Sequence, residues 1–440
     1  MALMEVDYSL IPKDKAMIVS VVSENMEGHK NEADTLRSLA ELKDLLKTLD
    51  VQCCGEFHQN RKKLVSGTLV GSGKLKEIAD LAKAQNVETL VFDFELTASQ
   101  MRNIAQITEL KVMDRCQVIL QIFAHHAHTK EAKIQIEISR LKYMLPRLTS
   151  LWSHFSKQKG GIGMKGEGEQ QLELDRRIIR KKIERYEREL KTVQVSRNER
   201  KKNRSKNSLT AALVGYTNAG KSSLMNHLCQ ESVLSEDKLF ATLDSTFRML
   251  TPDTKPPLIL IDTVGFLSNL PNTLIEGFKS TLESIRDADL LLVVGDISDP
   301  HIDKHIETTQ NVLNELELGD KEKIFIFNKK DKVENILSAK VKTRKYPHSK
   351  IVSSLDKEDM QELRGFIINH FLEQQSAYDL FIPYDEGDAH SKVQKYTNIM
   401  KSSYHEKGIF YRVKTPEVFF KRTGIEKYNI LDPNILEGFL

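Results

Sequence analysis

Cysteine is scarce in this chain: 440 residues hold four, Cys53, Cys54, Cys116 and Cys229. Their spacing offers neither a disulfide framework nor a set of metal ligands, which leaves small side chains in a reducing compartment. A run of about 18 apolar residues is also missing, so no membrane-spanning helix is expected. The start lacks a basic and then apolar leader, since Glu5 and Asp7 stand where one would begin. A cytoplasmic protein is expected, with peripheral attachment to a membrane left open. Net charge is small as well, at +3. That balance hides an asymmetry: residues 176–206 hold fourteen Lys or Arg against four Glu and carry +10, so the remainder carries −7. A basic block on a near-neutral protein suggests an anionic partner surface, with a solvated charged helix as the alternative.

The chain is 40% hydrophobic and 29% charged, as soluble globular proteins are. Its length exceeds what one core can organise, and roughly two to four domains are expected. From residue 1 to 128, strand-like runs (16–22, 51–57, 87–94, 110–113) alternate with helical spacing at 32–49, 73–85 and after Thr97. That alternation predicts a small α/β domain with a mostly parallel sheet. Gly71-Ser72-Gly73-Lys74 lacks the spacing of a full phosphate loop and reads as loop or helix-capping structure.

Residues 129–203 change character. Ile134, Ile138, Leu141, Leu145, Leu148, Trp152 and Phe155 repeat at heptad spacing, as do Ile179, Ile183, Tyr186, Leu190 and Val193. Two such seams joined by a glycine-rich stretch predict an antiparallel helical hairpin, bent at Pro146. Its tip, 157–170, carries Lys157, Lys159 and Lys165 among five glycines. Residues 201–208, KKNRSKNS, read as a polar linker. From 208 to 374 strands and helices alternate again, as in a doubly wound sheet. Residues 376–440 suggest a small α+β domain, with a strand at LFIPY, a helix over 388–403 and a strand at GIFYRVKT.

The third segment carries the chemistry. Gly215-x4-Gly220-Lys221-Ser222 follows the apolar run Ala211–Val214 and opens a helical pattern, the setting a phosphate-binding loop requires. Backbone N–H groups from Gly215 through Tyr216, Thr217, Asn218, Ala219 and Gly220 to Ser223 can face phosphate, and the helix dipole favours the anion. Lys221 is expected to reach the terminal phosphates and Ser222 to hold Mg²⁺. LILID-Thr263-Val264-Gly265 places Asp262 at a strand end, where it can hold the metal through water. The Gly265 N–H can sense the terminal phosphate.

Asn328-Lys329-Lys330-Asp331 ends another apolar strand. The Asp331 carboxylate can accept from guanine N1–H and N2–H, a pair of donors that adenine lacks. Asn328 is expected to brace the loop, and the Lys329 stem to pack on the base. Ser353-Ser354-Leu355 stands where backbone N–H groups would meet the guanine carbonyl. Phe240-Ala241-Thr242-Leu243-Asp244 falls where the first switch belongs, with Thr242 as the further Mg²⁺ ligand and Thr246 as the alternative. Phe266 follows Gly265 where many GTPases carry a glutamine, so slow intrinsic hydrolysis is expected unless a partner orients the water. Asn218 is a candidate potassium ligand or, alternatively, a loop brace. Lys221, Thr242 and Gly265 are the candidate catalytic residues, and GTP, GDP and Mg²⁺ the expected ligands.

With GYTNAGKSSLMN, LFATLD, DTVGF and NKKD in place, and TKEAKIQIEISRLKYMLPRLTSLW, GGIG and LELDRR ahead of them, the chain resembles the HflX family in the Obg–HflX group of P-loop GTPases. These segments span most of residues 66 to 374. The resemblance implies a Ras-like GTPase domain preceded by a small α/β domain and a coiled-coil hairpin, with a small C-terminal domain. It further implies nucleotide-controlled binding to the large (50S) ribosomal subunit and its rRNA, and splitting or rescue of stalled ribosomes under stress, with the hairpin tip near the peptidyl-transferase region. Where the family shows a tip like RGPGETQLE, this chain has Lys165-Gly166-Glu167-Gly168-Glu169-Gln170-Gln171-Leu172-Glu173, without the proline and threonine. A monomer is expected. Two other functions fit parts of the pattern: an rRNA-binding assembly factor whose hydrolysis is incidental, and a tRNA-modification GTPase.

Overall fold

The computed structural model describes residues 15–24, 26, 29–148, 167–229, 246–251, 254–267 and 285–430. Trp152, Phe155, the tip residues 157–166, the expected switch segment Phe240–Asp244 and most of the helix expected near 272–286 lie outside them. The described chain forms two compact units, divided within the long basic helix near residue 194.

The first unit contains a four-stranded, wholly parallel sheet of order β2-β1-β3-β4, built from β1 (Lys15–Val22), β2 (Gln52–Asn60), β3 (Thr89–Phe92) and β4 (Lys111–Asp114). Residues 16–21 of β1 are buried without alternation, as a strand covered on both faces demands. Helices α1 (Glu32–Thr48), α2 (Ser72–Ala84) and α3 (Ala98–Thr108) agree with the helical spacing read from the sequence. Met17, Val19 and Val21 pack with Leu75 and Ile78 of α2 and Ile104 of α3. A fourth helix, α4 (Arg115–His126), had no counterpart in the sequence reading. Its signal was the Asp114-x-x-Gln117 capping box, in which each side chain meets the other's backbone N–H.

Helix α5 (Lys130–Met144) gives way to a 3₁₀ turn at Leu145–Arg147, the place where Pro146 removes a backbone donor. Helix α6 then runs from Glu167 to Asn207. Ile134, Ile138, Leu141 and Leu148 form one buried cluster with Ile179 and Ile183, and Leu145, Tyr186 and Leu190 lie against it. The two heptad seams therefore meet. The linker expected at 201–208 is instead the last turns of α6. Its Lys, Arg and Asn residues are polar, but without Gly or Pro nothing in them ends a helix.

The second unit carries a six-stranded sheet of order β10-β9-β8-β5-β7-β6. Its strands are β5 (Leu209–Gly215), β6 (Thr246–Thr251), β7 (Leu258–Asp262), β8 (Leu290–Asp296), β9 (Lys323–Asn328) and β10 (Ser349–Ile351). All pairings are parallel except β6 with β7. Helices α7 (Lys221–Leu228), α8 (Ile302–Glu315), α9 (Ile336–Thr343) and α10 (Lys357–Glu373) belong to the same unit. The edge strand β6 and the short α9 were not expected.

After Glu373 the chain builds a three-stranded antiparallel sheet of order β11-β13-β12 from β11 (Gln375–Pro383), β12 (Asn398–His405) and β13 (Gly408–Pro416), with α11 (Gly387–Tyr396) and α12 (Glu417–Thr423). The helix expected over 388–403 thus stops at Tyr396. Residues 398–405 extend because they pair with β13 through a tight turn at Glu406-Lys407. That hairpin pairing overrides a short segment's helical pattern. Phe419 of α12 enters the core beneath β5, β7 and β8, and Arg422 bonds Asp289 and the Ser208 carbonyl.

Candidate nucleotide site

Strand β5 and helix α7 meet in a loop whose glycines have no substitute. Gly220 sits at φ 88°, and a Cβ there would lie 2.2 Å from Asn328 Nδ2. A Cβ on Gly265 would lie 2.8 Å from Thr217 Cα and 3.0 Å from Lys221 Nζ. Each glycine therefore leaves room that a neighbouring group fills, Asn328 against Gly220 and Thr217 and Lys221 against Gly265.

Lys221 is buried and donates to the carbonyls of Gly215 (3.0 Å) and Tyr216 (2.8 Å). Burial pushes its ammonium down to about 8, with Asp262 opposing the shift. Ser222 donates to Asp262 Oδ2 at 2.7 Å, so the two oxygens expected at a metal stand side by side. The Thr217 hydroxyl is buried with no hydrogen-bond partner among the described residues. Asn218 is exposed, in the left-handed region at φ 58°. Thr263 is buried, its hydroxyl on the Leu213 carbonyl at 2.6 Å, and Val264 lies in the core. Phe266 is 3% exposed; its N–H donates to the Gly215 carbonyl and its own carbonyl accepts from Thr217 N. The side chain after Gly265 is thus part of the core. Tyr216 stacks on His305 of α8 with centroids 4.0 Å apart.

The loops after β9 and β10, where the guanine contacts are expected, converge on the same place. Asn328 is fully buried; its Nδ2 donates to the Ala219 carbonyl at 3.0 Å, and its Oδ1 accepts from Ser354 N at 2.9 Å. One carboxamide therefore ties the phosphate loop, the end of β9 and the loop after β10. Ser354 also accepts from the Ser223 hydroxyl at 3.1 Å. Asp331 Oδ1 accepts from the Ser353 hydroxyl at 2.5 Å. Lys329, at φ 64°, pairs with Asp296 at 2.9 Å. Leu355 is 71% exposed. Phe240, Ala241, Thr242, Leu243 and Asp244 fall outside the described residues. Thr246 begins β6 across from Asp262, and its hydroxyl faces Met225 Sδ at 3.7 Å.

Two carboxylates of this region escaped the sequence reading. Asp296 was visible only as the polar end of β8. Asp359, in the first turn of α10, had no local signal; it accepts from Lys330 Nζ at 2.6 Å and Ser353 N at 2.7 Å.

Three family models match in succession: GTP-binding GTPase N-terminal over 36–124, GTP-binding GTPase Middle Region over 126–204, and 50S ribosome-binding GTPase over 210–329. The chain is 39% identical over 392 residues to GTPase HflX of Lacrimispora saccharolytica, covering 89% of this chain and 92% of the relative. Against GTPase HflX of Akkermansia muciniphila the identity is 38% over 424 residues, covering 93% and 96%. Against GTPase HflX of Escherichia coli it is 33% over 400 residues, covering 90% and 94%. A GTP-binding protein from Sulfolobus solfataricus, solved in complex with GDP, is 22% identical at a TM-score of 0.43, covering 80% of this chain and 98% of that one.

Proposed function

This chain belongs to the HflX family of GTPases, and on that premise we propose that it binds the large ribosomal subunit under control of its nucleotide and splits or rescues stalled ribosomes under stress. The observation that carries the nucleotide half is the buried Asn328 carboxamide between Ala219 and Ser354. It makes the phosphate and base loops one rigid cradle, so a ligand that fills one is oriented for the other. Residues 215–223 hold the phosphates and Lys221 supplies their countercharge. Asp331, braced by Ser353, reads the base, and Gly265 reports the terminal phosphate.

The adjacent Ser222 hydroxyl and Asp262 carboxylate are hard oxygens that suit Mg²⁺. A bound Mg²⁺ neutralises phosphate charge. Thr242 is its further ligand in this reading. With Phe266 locked in the core, no side chain there orients water, so turnover is slow alone and rises with the ribosome. Asn218 is the candidate potassium ligand, with a loop brace as the alternative; turnover equal in KCl and NaCl would favour the brace.

The ribosome half rests on the +10 carried by residues 176–206, most of α6. Such an arm gains affinity from RNA phosphates through counterion release. The working species is a monomer. Co-sedimentation with 50S subunits across a salt series is the test. Binding stronger with a GTP analogue than with GDP, and falling steeply with salt, is expected; binding indifferent to nucleotide rejects the coupling. Asp331→Asn is expected to turn preference from guanine toward xanthine nucleotides. If GTP preference persists unchanged, Asp331 does not read the base.

A further inference from the structure

We propose that Asp359, on the first turn of α10, is a positioning residue for guanine recognition. It sets Asp331 through Ser353. The inference deepens the reading of residues 328–331 as a guanine reader and rests on it.

Asp356 caps α10 by accepting from the N–H groups of Glu358 and Asp359. The helix start is thereby satisfied without Asp359, whose carboxylate is left to reach outward. Its side chain is only 12% exposed, and each oxygen meets a different loop. Oδ2 accepts from the backbone N–H of Ser353 at 2.7 Å, and Oδ1 from Lys330 Nζ at 2.6 Å. Lys330 lies inside Asn328-Lys329-Lys330-Asp331, and Ser353 lies just beyond β10. One carboxylate therefore joins the loop that contributes Asp331 to the loop that contributes Ser353.

The consequence falls on Asp331. Its Oδ1 accepts from the Ser353 hydroxyl at 2.5 Å, and no other described hydrogen bond holds that carboxylate. Asp359 holds the Ser353 N–H while Asp356 N donates to the Ser353 carbonyl at 3.0 Å, so Asp359 fixes one of the two ends that aim the Ser353 hydroxyl at Asp331. The same position aims Ser354 N at Asn328 Oδ1. With Asp359 gone, the Lys330 ammonium and the Ser353 N–H both lose their acceptor, and the Asp331 carboxylate turns. What suffers first is the bond to the 2-amino group of the base, the one feature that separates guanine from hypoxanthine.

The test uses the full-length chain and compares GTP with inosine triphosphate. Asp359→Ala is expected to lower the ratio of GTP to inosine-triphosphate affinity by about tenfold or more. KM for GTP rises, and kcat at saturating GTP stays within about twofold, as for a lost ground-state contact. In a Ser353→Ala background the same substitution should change the ratio little further, because the two side chains act in series. A brace for the fold alone would lower the melting temperature and weaken both nucleotides equally. An unchanged ratio with that signature overturns the proposal, and so do fully additive losses in the double variant. Asp331→Asn runs alongside: if it leaves guanine preference intact, the guanine reader itself fails, and that outcome is separate from failure of Asp359 alone.

Discussion

Lys221 is a charged group in a place that charge disfavours. Its drop from 10.5 to about 8 corresponds to about 3 kcal/mol of bias toward the neutral form. Near neutral pH the ammonium is still protonated, so the nucleotide-free protein bears that penalty until an anion arrives. Lys221→Met should then leave the melting temperature of the nucleotide-free protein unchanged or raised, while GDP affinity falls by about a hundredfold. Calorimetric titration and thermal melting read the two effects separately. A lower melting temperature with affinity retained would show Lys221 to be a structural cation. Gly220 and Gly265 complement it, because any side chain on either would occupy the space that Asn328 or Lys221 uses. Gly220 and Lys221 were legible in the sequence because a phosphate loop is made of consecutive residues, and Gly265 because it closes a short pattern at the end of an apolar strand. Asp359 was not, since its partners Lys330 and Ser353 come from other segments and meet it only after folding.

At the scale of elements, heptad spacing proved informative over α5 and α6 because the apolar positions recur every turn and have one partner face. Ile183 is 8% exposed in that seam. Ile183→Asp places a carboxylate among Ile134, Ile138 and Leu141 and should destabilise the first unit by about 3 kcal/mol. The urea midpoint of that unit is expected to fall, with GDP affinity held; loss of GDP binding would mean that the seam does more than pack. Composition misled where it stood alone. The basic stretch before Ser208 looked like linker and is helix, because only Gly or Pro would have interrupted it. The segment 398–403 looked helical and is strand, because β13 offers a ladder.

At the scale of the whole molecule, two compact units imply two handles on stability. In the first, His29 is buried beside Asp93 and Phe94, and burial lowers its pKa from 6.5 against the pull of the Asp93 carboxylate. Below that value the unfolded histidine takes a proton that the folded one refuses. The unfolded state then binds more protons, so stability declines as pH falls through 6.5. Scanning calorimetry should resolve a transition that drops between about pH 7.5 and about pH 5.5, with a shallower drop in His29→Gln. The second unit should answer to nucleotide instead: GDP at about 100 times its Kd adds about 2.7 kcal/mol to it. One transition that moves with both pH and GDP would show the units to be a single cooperative block.

By itself the sequence determined the nucleotide chemistry, the alternation of strands and helices, and the two heptad seams. Each of these is local, written in adjacent residues or in a short period. Tertiary structure decided the rest: that Asn328 joins the phosphate loop to the loop after β10, that the Asp359 carboxylate meets Lys330 and Ser353, that residues 398–405 extend, and that Phe266 is core. These depend on contacts between segments, some distant and some adjacent, and burial and pairing energy, which the pattern within one segment does not encode, choose among the conformations that each segment allows.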